Sequence, residues 1–186
     1  GAGFMAETLK AVSRGKECKG ILPEKELTRN LPAKTVRRMK RLPRMVLSLG
    51  MDALENSGLK EGPVSLFFGT GWGSLSETFN FMTQLIDSDD RFASPTDFIG
   101  SVHNASAGQA AIQFQATGPN ITTTGGDYSF EQALLTASLL SRESDAPVLV
   151  IGGDESHETL SPLFDPSAPG NTARSDGGGA LLLKRG

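Results

Sequence analysis

Residues 118–134 read GPNITTTGGDYSFEQAL. Residues 121–124 form a short β-branched run suited to a strand, and Gly125-Gly126 interrupts it. Residues 129–142 (SFEQALLTASLLSR) then read as a helix with apolar or small residues around most of its circumference. A helix of that kind is normally covered on several sides. Strand, glycine pair and helix make an elbow with Asp127 at its bend, and two readings of that residue stand side by side. Aspartate is among the best N-capping residues and the helix dipole favours its charge, so spacing alone favours a cap. The same elbow is also a geometry that presents a nucleophile at a helix N-terminus.

On either side of this segment, apolar runs alternate with helical periods. Residues 42–59 keep a 3.6-residue period through Leu42, Met45, Val46, Leu49, Ala53 and Leu54, with Gly58 suited to the left-handed position after the last turn. A strand over 63–68 ends at Gly69, and a helix over 74–86 has Ser74 or Ser76 as cap. Small residues over 104–116 predict a helix. The continuous apolar run 147–151 predicts a strand buried on both faces, and 180–183 a closing strand. Residues 4–14 predict a short amphipathic helix ending at Gly15. Residues 16–30 and 161–175 read as the loosest stretches. Strands separated by helices give an α/β fold.

The chain has 186 residues, the size of one ordinary domain, and a formal net charge of −3. Apolar residues at 38% and charged residues at 21% argue against disorder and against a membrane protein. No apolar stretch approaches the roughly 18 residues of a transmembrane helix. A single cysteine, Cys18, excludes an internal disulfide, and two histidines, His103 and His157, exclude a three-histidine metal site. No metal and no cofactor is expected. No secretory signal is visible, so a reducing, cytoplasmic setting is expected.

Three further features bear on function. Gly69-Thr70-Gly71-Trp72-Gly73 follows a strand but lacks the third glycine of GxGxxG and an acidic residue closing a second strand, so a tight strand-to-helix turn is favoured over a nucleotide loop. Lys34, Arg37, Arg38, Lys40, Arg41 and Arg44 form a basic run without an acid. In a net acidic chain without interleaved aromatics this run does not indicate nucleic acid; it reads as a solvated face or a dock for an acidic protein. Cys18 has neither a base nor an oxyanion hole in view and reads as incidental.

Six stretches in order resemble the N-terminal half of the β-ketoacyl synthases, of the thiolase-like superfamily: residues 37–59, 68–73 (FGTGWG), 102–109 (VHNASAGQ), 118–134, 148–155 (VLVIGGDE) and 175–183 (SDGGGALLL). The resemblance covers the whole chain as a single domain, residues 1–186. It implies a thiolase-like half with a mixed β-sheet flanked by helices and a buried central helix. In that family the elbow after the GPN strand bears the acyl-accepting cysteine, and its position here is Asp127. A carboxylate cannot form an acyl thioester, so the resemblance implies no condensation by the usual route. Neither His103 nor His157 falls in a block matching the family's catalytic histidines, which belong to a C-terminal half. The family's first strand is expected to be missing, Gly1-Ala2-Gly3-Phe4 reading as the turn after it, and the chain is expected to be a truncated piece.

The stretch 101–109 (SVHNASAGQ) is most similar to the short, divergent branch that includes cysteine-less chain-length factors of polyketide and aryl-polyene systems. The resemblance therefore implies a non-catalytic subunit pairing with an active ketosynthase, or with itself, in fatty-acid- or polyketide-type biosynthesis. Pocket residues would be Gly125, Gly126, Asp127, Tyr128 and His103. The dimer interface would run through Asn120, Ile121, Thr122, Thr123 and Thr124, and an acyl carrier protein would dock on Arg37, Arg38, Lys40, Arg41 and Arg44. The alternatives are a malonyl-carrier-protein decarboxylase, the activity of family members with glutamine at the cysteine position, and a carrier-protein binding module. An ionised Asp127 weighs against decarboxylation. At about 4 Å and an effective dielectric of about 20 it would repel a malonyl carboxylate by on the order of 4 kcal/mol.

Overall fold

The computed structural model describes residues 10–11, 13–16, 20–37, 39–91, 93–164 and 175–185. Lys10 and Ala11 are helical and Gly15 has a φ of 67°, as expected at a helix end; the rest of the predicted first helix, Cys18 and Arg38 lie outside the described residues. Four strands, β1 (Ser65–Gly69), β2 (Asn120–Thr123), β3 (Val148–Asp154) and β4 (Gly177–Leu183), form one mixed sheet in the order β2-β1-β3-β4. β1 is parallel to β2 and β3, with Phe67 opposite Ile121 and Val150; β4 returns antiparallel to β3, with Leu181 opposite Val150.

Eight helices of the described residues surround the sheet: α1 (Glu24–Thr28), α2 (Ala33–Val36), α3 (Arg41–Ser57), α4 (Leu75–Asp87), α5 (Pro95–Ser101), α6 (Ala105–Phe114), α7 (Ser129–Leu140) and α8 (Ser161–Phe164). The period-two alternation of β1 and β3 divides the core into two layers. Leu66, Phe68, Leu149 and Ile151 face α3 and α6, meeting Leu42, Met45, Val46, Ala107 and Ala110. Phe67, Val148 and Val150 face α7, meeting Ala133 and Ala137. The continuous apolar run therefore belongs to a strand buried on both faces, as expected. α3 ends with Gly58 at φ 67°, the left-handed cap its sequence predicts.

The sequence reading gives none of the short helices α1, α2, α5 and α8, the last of which opens the other stretch read as loose. α1 falls in a stretch read as loose. It is held from outside, by burial of Leu27, by an ion pair of Glu24 with Arg44, and by a contact of Arg29 with Asp52 at 2.6 Å. Asp176 ties the same region to the sheet: its carboxylate accepts from the Leu22 and Ser156 N–H groups at 2.7 and 2.8 Å and pairs with Arg41. α5 carries a local signal in S-P-T-D, with Ser94 Oγ accepting from the Asp97 N–H at 3.3 Å and Pro95 in the first turn.

α7 lies unusually close to the sheet. A methyl group on Gly69 would stand 2.4 Å from the Ser129 carbonyl oxygen, and one on Gly152 2.7 Å from the Phe130 ring. Two glycines at strand ends, with Ala133 and Ala137 in the helix, thus bring the elbow down onto β1 and β3. The sheet covers only one side of the helix within the single chain. Leu135, Leu139 and Leu140, on the far side, are 49–59% exposed.

Candidate functional site

The C-terminal ends of β1 and β3 open onto a cleft of about 470 Å3, whose rims are the 71–72 loop and the elbow and whose floor includes Gly152, Gly153 and Asp154. The open end of parallel strands is where α/β sheets bind ligands. A methyl group on Gly71 would lie 3.3 Å from the Gly126 carbonyl oxygen and 3.5 Å from Asp154 Oδ2, so the loop, the elbow and the end of β3 converge there.

Asp127 lines the cleft from an exposed position in the 3-10 turn Gly126–Tyr128. The cap that spacing favours does not form, since no side chain caps α7 or the turn before it. The turn is closed instead by the buried Ser129 hydroxyl, which accepts from the Gly125 N–H at 2.9 Å and donates to the Gly126 carbonyl at 2.6 Å. Gly126 adopts a φ of 58° and leads the chain into that turn. The extra 3-10 turn moves the helix start past Asp127, so its carboxylate is directed to the cleft rather than to the helix N–H groups.

Of the other pocket candidates, Gly126 lines the cleft, whereas Tyr128 is 69% exposed and is not among the residues lining it. Gly125 stands beside Gln132, and His103 borders Gly73, with its Cδ2 2.9 Å from where a methyl group on that glycine would be. His157 packs against Phe79 with the rings tilted and their centroids 4.7 Å apart, and its Nδ1 accepts the Thr159 and Leu160 N–H groups, which is a structural role.

Sequence reasoning missed the carboxylates that build the cleft. Asp154 Oδ1 accepts from Thr70 Oγ1 at 2.7 Å and from the Gly71 and Trp72 N–H groups at 3.0 Å each; the Gly73 N–H is taken by Thr70 Oγ1 at 3.0 Å. The amides that a phosphate would need in the GTGWG loop are therefore spent internally, which supplies the physical reason why the loop is a turn and not a nucleotide cradle. The next residue, Glu155, is 1% exposed and accepts from the Ser76 N–H at 2.8 Å and the Ser76 hydroxyl at 3.0 Å. It caps α4 in place of Ser74, whose own hydroxyl is buried without a partner. Glu77, one residue beyond Ser76, is 5% exposed with Oε2 unpartnered. Burial, and then repulsion from Glu155, push its pKa up to about 7. Burial likewise raises that of Glu155. The available signal was a pair of acids, Asp154-Glu155, directly at the end of an apolar strand.

The basic run is partly consumed by the fold. Arg41 pairs with Asp176 and donates to the Leu22 carbonyl at 2.8 Å, and Arg44 pairs with Glu24, so neither is a free docking cation; Arg37 and Lys40 are exposed. Residues 41 and 44 open α3, whose N-terminus meets the buried Asp176 and the helix α1.

Among the described residues, β2 lies at a sheet edge. The Pro119 and Thr123 carbonyls accept from Leu66 of β1 and from Thr70 just after it, so by the alternation of a ladder Asn120, Thr122 and Thr124 turn their backbone groups to the open side. Ile121 packs in the α7 layer and Thr123 Oγ1 holds the Ser129 carbonyl at 2.9 Å. Among the described residues no helix is long and apolar enough to cross a membrane, and no group of three or more His, Cys, Asp or Glu could hold a metal.

A family model described as "Beta-ketoacyl synthase, N-terminal domain" matches residues 15–173. No curated protein matches the chain. Among solved structures, it is similar to a ketosynthase (ApeO) in complex with its chain length factor (ApeC) from Xenorhabdus doucetiae. That match has 24% identity and a TM-score of 0.67, covering 84% of this chain and 62% of that one. It is similar to the ishigamide ketosynthase/chain length factor at 21% identity and a TM-score of 0.76, over 97% of this chain and 57% of that one. A third is AntDE:AntF, a type II PKS acyl-carrier protein in complex with its ketosynthase bound to the hexaketide. It shares 14% identity, with a TM-score of 0.67, over 88% of this chain and 52% of that one. The chain thus spans about 60% of the length of the first two of these structures.

Proposed function

Because this chain belongs to the β-ketoacyl synthase N-terminal domain family, we propose that it is a cytoplasmic, non-catalytic ketosynthase-like subunit. It pairs with a cysteine-bearing ketosynthase in the manner of a chain-length factor, in polyketide- or fatty-acid-type biosynthesis. The observation that carries the proposal is Asp127 on the cleft rim, at the elbow where the family resemblance puts the acyl-accepting cysteine. A carboxylate is a poor acyl acceptor here, and the described lining of the cleft offers two carboxylates, Asp127 and Asp154, and no cation. That charge also weighs against decarboxylation of a malonyl group, whose own carboxylate it would repel.

Two features support a subunit that is completed by a partner. One is the open edge of β2, from Asn120 to Thr124; the other is the leucine face of α7. An edge strand with unpaired backbone groups beside exposed leucines is a surface that a two-fold-related chain covers. An acyl carrier protein would meet the exposed Arg37 and Lys40.

The test is recovery of the tagged chain from its source cell followed by native mass spectrometry. A one-to-one complex with a cysteine-bearing ketosynthase is expected. A self-dimer without a synthase would sink the reading. It would turn attention to carrier binding and to decarboxylation by Asp127→Asn, whose neutral amide removes the repulsion.

A further inference from the structure

The adjacent acids at the end of β3 hold two successive parts of one segment. Asp154 takes the Thr70 hydroxyl and the Gly71 and Trp72 amides; Glu155 takes the amide and hydroxyl of Ser76. Gly71 and Trp72 line the cleft, so its rim is suspended between these two carboxylates. Glu77 follows Ser76 directly, with one carboxylate oxygen buried and without a hydrogen-bond partner.

We propose that Asp154 and Glu155 are positioning residues that clamp the Trp72 rim of the cleft, and that the charge on Glu77 loosens the clamp as pH rises. The device concerns the shape of the cleft and is independent of the partner proposed above. When Glu77 is neutral, Glu155 keeps both Ser76 contacts. When Glu77 is ionised, its buried charge and that of Glu155 repel each other at the start of α4. The stretch after Thr70 gives way because the Gly71, Trp72, Gly73 and Ser76 amides, unlike those of the sheet, go to side-chain acceptors.

The groups facing this pair are few and named. Lys40, just before α3, favours the ionised form of Glu77, while Asp97 of α5 opposes it. Arg41 of α3 favours and Asp176 before β4 opposes the charge on Glu155. His103 borders Gly73, and His157 packs against Phe79 of α4. Burial of Glu77 outweighs Lys40 and carries its titration up to about 7, which puts the change within reach of ordinary buffers.

Trp72 is the chain's single tryptophan, so its fluorescence reports on this rim alone. The experiment is acrylamide quenching of the 186-residue chain from about pH 5.5 to about pH 8.5, with circular dichroism confirming the fold at each point. In the unaltered chain the quenching constant should rise about twofold, with a midpoint near 7. Glu77→Gln and Glu155→Gln should each abolish the transition, Glu77→Gln at the low-pH value. Asp154→Asn should raise quenching at every pH. His103→Gln should leave the transition in place, since the imidazole beside Gly73 is the competing source of a change near neutrality. A pH-independent unaltered chain, a transition that survives in Glu77→Gln, or one that disappears in His103→Gln would each overturn the proposal.

Discussion

Glu77→Gln tests the energetics of the buried acid directly. The side chain is 5% exposed, and in the folded chain its pKa moves from the ordinary 4.5 to about 7. The folded state therefore holds a proton that the unfolded chain releases between those two values. In that window the stability contributed by neutral Glu77 falls by about 1.4 kcal/mol per pH unit. It is fully present below about pH 4.5 and gone above about pH 7, a loss of about 3 kcal/mol. Glutamine keeps the shape and does not titrate. Its stability relative to glutamate should thus increase with pH, by about 2–3 kcal/mol between pH 5 and pH 8, and then level off. Urea melts of both proteins across that range measure the difference, with other titrating groups cancelling in the comparison. A difference that stays constant with pH would refute the reasoning, because Glu77 would then titrate alike in folded and unfolded chains. One that shrinks as pH rises would mean that Lys40 outweighs burial.

Other outcomes follow from the geometry. Asp127→Ala should change stability by less than about 0.5 kcal/mol in a denaturant melt, since the side chain caps nothing, whereas Ser129→Ala, which loses both bonds closing the elbow, should cost about 1–3 kcal/mol. Asp176→Ala removes one partner of a buried ion pair and two N–H acceptors, and should cost about 3–5 kcal/mol by the same measurement. Leu135→Arg with Leu139→Arg should leave the melt of the isolated chain within about 0.5 kcal/mol, because both leucines are exposed. Analytical ultracentrifugation should show the same double variant failing to associate with its partner or with itself.

Much of the fold could be read along the chain because its elements announce themselves over short distances. The apolar run of β3, the 3.6-residue period and Gly58 of α3, and the glycine pair before α7 are local patterns with local causes. α1 could not be read in this way. Five residues do not carry a period, and the helix is held by Leu27, Arg44 and Asp52, contributed by or packed against distant α3.

The site divides along the same line. Sequence alone determined that an aspartate stands at the bend of a strand–glycine–helix elbow, which already denies the chain a thiol at that place. Only the tertiary structure decided what the acids do. It left Asp127 uncapped on the cleft rim by inserting a 3-10 turn, gave its expected closing role to Ser129, and spent the amides of the GTGWG loop on Asp154. It also placed Glu155 against the start of α4 beside Glu77. These pairings join residues about 80 positions apart, from Thr70, Gly71 and Ser76 to Asp154 and Glu155. No sequence period reports them, because hydrogen-bond geometry and desolvation depend on which strand ends lie side by side once the sheet has formed.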